Sequence, residues 1–387
     1  MNMPTKTVLL IVRSLRLGGM ERMTVNLANA FHRQGIDTHI LVMKNKIELT
    51  PDEGVTLHVV DFDTIFRLSG IGLLYELVTR GILSRFNRRS RIVFRSFWFS
   101  RLFRIWLKRL EKQLGRPVDL MIARGFGSFE GLAGFLDHRL LRIIVNEMWM
   151  DNPNWADRRF FRGSFANQTV LFNSRQVLEQ FQANCSHFSL TQYRAVLLRN
   201  PTDIGEIQQL SLGPPPFEQP YILNVGRLEK SKNQQLLLHA FDQLKERIPH
   251  HLVIIGSGSL ESELKALARE LRIEERVHFT GSLSNPYPWM KHAELFVLTS
   301  LHEGLPNVVI ESFVCGTPAV VTRGKGGAVE LMEGELQPFI SEMESDSLAS
   351  TIEKALHAPP SINPDFINSF NMHSVAATLL GLRKDEY

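Results

Sequence analysis

Short apolar runs alternate with amphipathic stretches along almost the whole chain. KTVLLIV, ending at Val12, is followed by a helical pattern from Met20 to Gln34 and then by THILVM. DLMIA (Asp119 to Ala123), RIIVNE (Arg142 to Glu147) and TVLFNS (Thr169 to Ser174) are further strand candidates. The pattern resumes with YILNVG, a helix from about Asn233 to Arg247, LVIIG, and a helix from about Leu260 to Arg272. VHFTG, ELFVLTS and PAVVT follow. Such alternation predicts parallel sheets flanked by helices on both faces.

The alternation breaks once, at NPTDIGEIQQLSLGPPPFEQP, Asn200 to Pro220, which holds five prolines and two glycines. A boundary there divides the chain into an N-terminal domain, 1–205, and a C-terminal domain, 206–365. A helical tail, 366–387, is expected to cross back to the N-terminal domain. The fold class is α/β, with two Rossmann-like parallel-sheet domains facing across a cleft. Ligands of such sheets bind at the C-terminal strand ends, so the cleft is the expected site.

Composition narrows the setting. Of 387 residues 44% are hydrophobic and 22% charged, enough for two ordinary cores. Two cysteines, Cys185 and Cys315, stand far apart without metal-ligand spacing, which favours a reducing compartment. VLLIV is too short for an export signal, and no apolar run approaches the roughly 20 residues of a membrane span. The expected location is cytoplasmic.

Four constellations follow strand ends. Gly18-Gly19-Met20-Glu21-Arg22 offers glycines at a strand-to-helix turn, where phosphate can approach backbone N–H groups; an ordinary tight turn is the bland alternative. NVGRLEKSKN places Arg227 and Lys232 just past Gly226, two cations suited to a diphosphate or simply to a solvated loop. In LTSLHEGLPNVVIESF, Glu303 precedes a helix that begins near Asn307 and carries Glu311 on its second turn. Carboxylates so placed can hold sugar and ribose hydroxyls, or can be surface acids favoured by the helix dipole. Gly324-Lys325-Gly326-Gly327 is a weaker loop of the same kind.

Together GGMER at Gly18, GRLEKSKN at Gly226 and the Glu-x7-Glu of EGLPNVVIE resemble the motifs of a retaining glycosyltransferase of family 4, with the GT-B fold. GGAVEL at Gly326, FNS at Phe172 and RNPTD at Arg199 extend the resemblance over essentially the whole chain, less so between Phe62 and Val118. The resemblance implies that Arg227 and Lys232 bind the donor diphosphate and that Glu303 contacts the donor sugar beside Gly304, Leu305 and Asn307. It implies that Glu311 holds the ribose, that Gly18 and Gly19 approach the phosphates, and that the base rests near Gly256 and Val277. Family members often carry a histidine after the strand that here reads RIIVNE; this chain has Asn146-Glu147, which become acceptor-side candidates.

The implied activity is transfer of a hexose, with retention and without metal or other cofactor, from a nucleotide sugar that family frequency makes UDP-linked. The expected acceptor is a surface glycan such as lipopolysaccharide core or a lipid-linked oligosaccharide. Rival readings are a nucleotide-sugar epimerase of the same fold and a non-enzymatic basic membrane or nucleic-acid binder. Asp61-Phe62-Asp63 is a D-x-D far from the donor motifs and is read as a decoy rather than a metal site.

Net charge is only +4, but it is concentrated. Between 80 and 112 lie Arg85, Arg88, Arg89, Arg91, Arg95, Arg101, Arg104, Lys108 and Arg109 against one acid, Glu111, with interleaved Phe and Trp. Arg101, Arg104 and Lys108 fall on one helical face; Leu102, Trp106 and Leu110 fall on another. This composition suits peripheral contact with the anionic inner face of the cytoplasmic membrane. A solvated helix whose aromatics pack in the core is the structural alternative, and nucleic acid is set aside as a partner.

Overall fold

The computed structural model describes residues 6–16, 18–70, 72–75, 88–145 and 155–382. They form two compact units. One runs to Pro201 and includes the residues from Met372 onward; the other runs from Thr202 to Asn371.

The strands of the first unit are β1 (Thr7–Val12), β2 (Asp37–Val42), β3 (Thr56–Val59), β4 (Leu120–Arg124), β5 (Leu140–Ile144), β6 (Thr169–Phe172) and β7 (Arg194–Leu197). Among the described residues they form one parallel sheet in the order β3-β2-β1-β4-β5-β6-β7. All six residues of β1 are buried, because both faces of the sheet are covered. Leu9 and Ile11 face a cluster that holds Phe99, Phe103, Phe129 and Phe165. Val8, Leu10 and Val12 face the other way, onto Leu27 and Phe31 of the helix Gly19–Arg33. That second core is completed by Met372, Val375, Ala376 and Leu379 of the helix Met372–Gly381, and Gln34 Nε2 donates to His373 O at 3.1 Å.

The second unit has β8 (Tyr221–Val225), β9 (His251–Ile255), β10 (Val277–Gly281), β11 (Leu295–Leu298), β12 (His302–Glu303), β13 (Ala319–Thr322), β14 (Lys325–Gly326) and β15 (Ile340–Ser341). Six make a parallel sheet, β10-β9-β8-β11-β13-β15, while β12 and β14 pair apart from it. The stretch read as a linker opens with the helix Ile204–Leu210. Asp203 Oδ1 accepts from Glu206 N at 3.0 Å to cap it, and Ile204 and Ile207 enter the core of this unit.

The basic segment is in part structural. The helix Arg88–Leu114 turns Phe99, Phe103, Leu107 and Leu110 into the core, where Phe103 meets Phe135 edge to face at 4.9 Å. Ser100 Oγ donates to Ala133 O at 2.9 Å from the same side. Phe99 and Phe103 therefore hold the helix to the sheet, while Arg101, Arg104, Lys108 and Arg109 stay exposed. Among the described residues no helix is long and apolar enough to cross a membrane.

Two polar features, one buried and one half-buried, set testable limits on stability. Arg142, in β5, is fully buried; it donates to Gln168 Oε1 at 2.9 Å and to Phe135 O at 2.8 Å, and burial pushes its guanidinium down to about 9. Arg142→Met strands those acceptors and is expected to lower stability by about 1–3 kcal/mol, read as an earlier urea midpoint. On β9 and β10, His251 Nδ1 stands 2.8 Å from His278 Nε2. Burial holds both imidazoles below the usual 6.5, with His278 and Arg276 lowering His251 further. The unfolded chain then takes up protons first as pH falls, so stability present above about pH 6.5 is lost below it. His278→Gln is expected to flatten that acid-side slope in thermal melts between about pH 7 and pH 5.

Candidate active site

β8 and β11 are neighbours in the second sheet, and the chain leaving each of them builds the site. After Val225 it passes Gly226 and Arg227 into a 3-10 turn, Lys230–Lys232. Asn233 then takes a left-handed conformation, φ 50°, before the helix Gln234–Leu244. Past β11, Thr299 Oγ1 donates to Lys232 O at 2.9 Å and Leu301 N donates to Ser231 O at 2.8 Å. These bonds stitch the two loops together and bring Lys232 Nζ onto Glu303 Oε1 as an ion pair. The same oxygen accepts from Ser300 Oγ at 2.8 Å. Both charged side chains are only about one-fifth exposed, so solvent screens the pair less than a surface bridge.

Glu303 is fixed from behind as well. β12 runs beside β14 with Glu303 opposite Gly326. Gly326 has φ 116°, and a Cβ there would stand 1.4 Å from Glu303 O. Gly304, Leu305 and Pro306 then lead into the helix Asn307–Val314, with Pro306 at its N-cap. A helix N-terminus favours an anion. Glu311 lies on the second turn, buried. Burial and then Glu311 push the Cys315 thiol up to about 12, so that cysteine is no nucleophile at neutral pH.

The glycines of the first loop serve close packing. A Cβ on Gly256 would meet Gly226 O at 1.9 Å, and one on Gly258 would meet Leu228 O at 2.3 Å. Leu228 N donates to Ser257 O at 3.0 Å across the same contact.

Thus Lys232, Glu303, Gly226, Gly256, Gly304 and Leu305 stand on connected loops at the C-terminal edge of one sheet, with Asn307 and Glu311 on the helix that follows. Arg227 is apart from the ion pair: its side chain is 72% exposed and bonds Glu229 at 2.8 Å. Val277 opens β10 at the opposite strand end and is buried in the core, so it lies away from the rest. Gly18 and Gly19 belong to the first unit, where Gly18 precedes the helix Gly19–Arg33 in extended conformation. Asn146 and Glu147 lie outside the described residues. In the D-x-D, Asp61 Oδ1 caps a helix by accepting from Thr64 N at 3.0 Å, and Asp63 pairs with Lys44 and Arg95.

Sequence reasoning assigned no role to Thr299 or Ser300, which fasten Lys232 and Glu303. Their signal was the polar TS that ends an apolar run. Gly326→Ala is expected to destabilise the chain by about 1–3 kcal/mol or more, because alanine strains that backbone and collides with Glu303. Gly381→Ala, whose added methyl meets nothing within 4 Å outside its own helix, should leave the melting temperature unchanged or raise it slightly.

Comparison with known proteins bears on this geometry. Residues 213–368 match the family model described as "Glycosyl transferases group 1", which takes in nearly all of the second unit. One relative is the N-acetylgalactosamine-N,N'-diacetylbacillosaminyl-diphospho-undecaprenol 4-alpha-N-acetylgalactosaminyltransferase of Campylobacter jejuni, 38% identical over 217 residues. That match takes in 53% of this chain and 58% of the relative, less than two thirds of its length. A glycosyltransferase from Rickettsia africae superposes with a TM-score of 0.72 at 16% identity, covering 99% of both chains. Anabaena HepE, solved in complex with UDP, does so at 0.61 and 17% identity over 98% of each. The solved structures share the fold, two parallel-sheet α/β units of the GT-B type. The family match and the Campylobacter relative support a glycosyltransferase built on it.

Proposed function

We propose that the chain is a metal-independent, retaining glycosyltransferase of family 4 that moves a hexose from a UDP-linked donor to a lipid-linked oligosaccharide or another surface glycan. The observation that carries this reading is the Lys232–Glu303 pair, held by Ser300 at the strand ends beside the N-terminus of the helix Asn307–Val314. The Campylobacter relative, named for a diphospho-undecaprenol acceptor, supports the acceptor class. HepE, solved with UDP, supports the base.

In this reading the bond from the anomeric carbon to the diphosphate breaks, and negative charge gathers on the departing oxygen. Lys232, Arg227 and the amides at Asn307 neutralise it, the task a divalent ion performs elsewhere. Arg227 turns from Glu229 to reach the phosphate, as its exposure permits. Ser300 keeps Glu303 in place on the donor sugar while Lys232 exchanges Glu303 for phosphate. Glu311 accepts from the ribose hydroxyls. The acceptor oxygen bonds the anomeric carbon on the face the diphosphate leaves, and its proton passes to the departing oxygen, which retains configuration. Gly18 and Gly19, together with Asn146 and Glu147, serve the first unit's side of the reaction.

The expected location is cytoplasmic with peripheral membrane contact. Exposed Arg101, Arg104, Lys108 and Arg109, with Leu68 83% exposed and Leu73 and Leu74 nearby in sequence, support it.

A panel of labelled nucleotide sugars tests the activity: a transferase slowly hydrolyses one donor, an epimerase isomerises one, and a mere binder does neither. Lys232→Ala is expected to cost on the order of 10²–10³ in turnover, measured at a temperature well below the variant's own melting transition, which the loss of the pair lowers. Excess chelator should leave turnover intact; turnover abolished by chelation and restored by a divalent ion would overturn metal independence.

A further inference from the structure

Two arginines are buried in the first sheet, and they differ in their partners. Arg142 donates its terminal nitrogens to Gln168 Oε1 at 2.9 Å and Phe135 O at 2.8 Å. Arg124, the last residue of β4, is 2% exposed, and its Nε and Nη1 meet no hydrogen-bond partner among the described residues. A buried guanidinium in that state is costly to the fold, and the cost asks for a compensating role. The backbone of Arg124 is fixed, since Ser128 Oγ donates to Arg124 O at 2.8 Å.

The position of this side chain is informative. β1 and β4 are neighbours at the middle of the sheet, and the strand order reverses between them. Open parallel sheets bind ligands at that reversal, outside the carboxyl ends of the strands, which is where Arg124 stands. Leu120 and Ile122 pack on the side of the helix Gly19–Arg33, and alternation along β4 puts Arg124 on that side too. The next residue lies against the first turn of the same helix: a Cβ on Gly125 would stand 2.4 Å from Met20 Sδ. Burial pushes the guanidinium down to about 10, while the carboxylate of Glu21, also on that first turn, acts through space in the other direction.

The first turn is itself open to an anion. Gly18 and Gly19 are exposed. The first helical bond runs from Arg22 N to Gly18 O at 3.0 Å, so the amides of Gly19, Met20 and Glu21 precede the ladder and have no partner among the described residues. Glu21 folds back over Gly18, where a Cβ would stand 2.5 Å from Glu21 Oε2. An acid of the chain itself therefore rests at the positive end of the helix, without hydrogen bonding to Arg124.

We propose that Arg124 and the first turn of the helix Gly19–Arg33 form a phosphoryl subsite in the first unit, with the Arg124 guanidinium as its charged ligand. A phosphoryl group has oxygens enough to take the amides and the guanidinium together, and the bare glycines let it approach the backbone. A neutral sugar hydroxyl brings no charge to offset the buried cation. Glu21 gives way as the group enters. The source of the group, acceptor or donor, rests on the glycosyl-transfer reading; the subsite itself does not.

Inorganic phosphate is titrated calorimetrically into the full chain, free and saturated with UDP, beside acetate at matched ionic strength. Phosphate is expected to bind and acetate to bind more weakly. Arg124→Met should weaken phosphate binding roughly tenfold or more, and Arg124→Lys, which keeps the charge, by less. Glu21→Gln, which removes the competing acid, should strengthen it. In phosphate-free buffer Arg124→Met should melt no lower than wild type, because an unpaired buried charge is removed. A variant that melts well below wild type there, or does not fold, makes Arg124 a structural group like Arg142 and overturns the subsite. Phosphate binding indifferent to the Arg124 and Glu21 variants overturns it as well, and acetate binding as tightly as phosphate overturns its phosphoryl character.

The two sources separate in the same titrations. If the group arrives on the acceptor, phosphate still binds the UDP-saturated chain and Arg124→Met leaves UDP affinity unchanged. If it arrives on the donor, Arg124→Met weakens UDP itself, and UDP displaces the phosphate that depends on Arg124. Failure of UDP to bind at all would strike the glycosyl-transfer reading alone, since phosphate titrated into the free chain still decides the subsite.

Discussion

Two loops leaving neighbouring parallel strands are fastened to each other, and the candidate site depends on that fastening. The Lys232–Glu303 pair is its visible part. An ion pair between flexible side chains on a surface is worth little, since the side chains must be ordered to make it and salt screens it. Here the ordering is already done by the backbone. Thr299 and Leu301 bond the 3-10 turn that carries Lys232, and β14 lies along Glu303. The backbones that carry the two charges are therefore placed before any ligand arrives, so that only side chains need move to receive one.

The absence of side chains at particular positions makes this fastening possible. Gly256 lies against Gly226, Gly258 against Leu228 and Gly326 against Glu303, each at a distance that no Cβ could share. The same holds where Arg13 crosses Gly127. In both units glycine marks places where backbone must be approached closely, whether by more backbone or by a charged stem. These positions cluster past the carboxyl ends of strands, because there the chain leaves the sheet and must turn.

Much of the architecture was legible because parallel strands buried on both faces read as unbroken apolar runs, as TVLLIV and ELFVLTS do. β7 was not recognised: its ends, Arg194 and Leu197, are exposed and the run is only four residues long. β12, β14 and β15 are two residues each, too short to leave any period. The acidic residues of the site were legible through spacing, since Glu303 and Glu311 bracket one helix start. The pairing of Lys232 with Glu303 was not, because their loops are 71 residues apart and meet only through sheet order. Arg227 was grouped with Lys232 by proximity in sequence, yet a bend in the loop sends it to Glu229. Phe99 and Phe103 were grouped with the basic residues around them. Composition alone does not say which side of a helix meets a sheet, and these two meet it.

The helix Met372–Gly381 covers one face of a sheet whose first strand begins at Thr7. On the ribosome, the earlier unit emerges with that patch over Leu27 and Phe31 bare, and it stays bare while the later unit is made. The half synthesised first is thus completed last. An apolar surface waits through some 170 residues of further translation, an interval in which a chaperone or a neighbouring nascent chain has access to it.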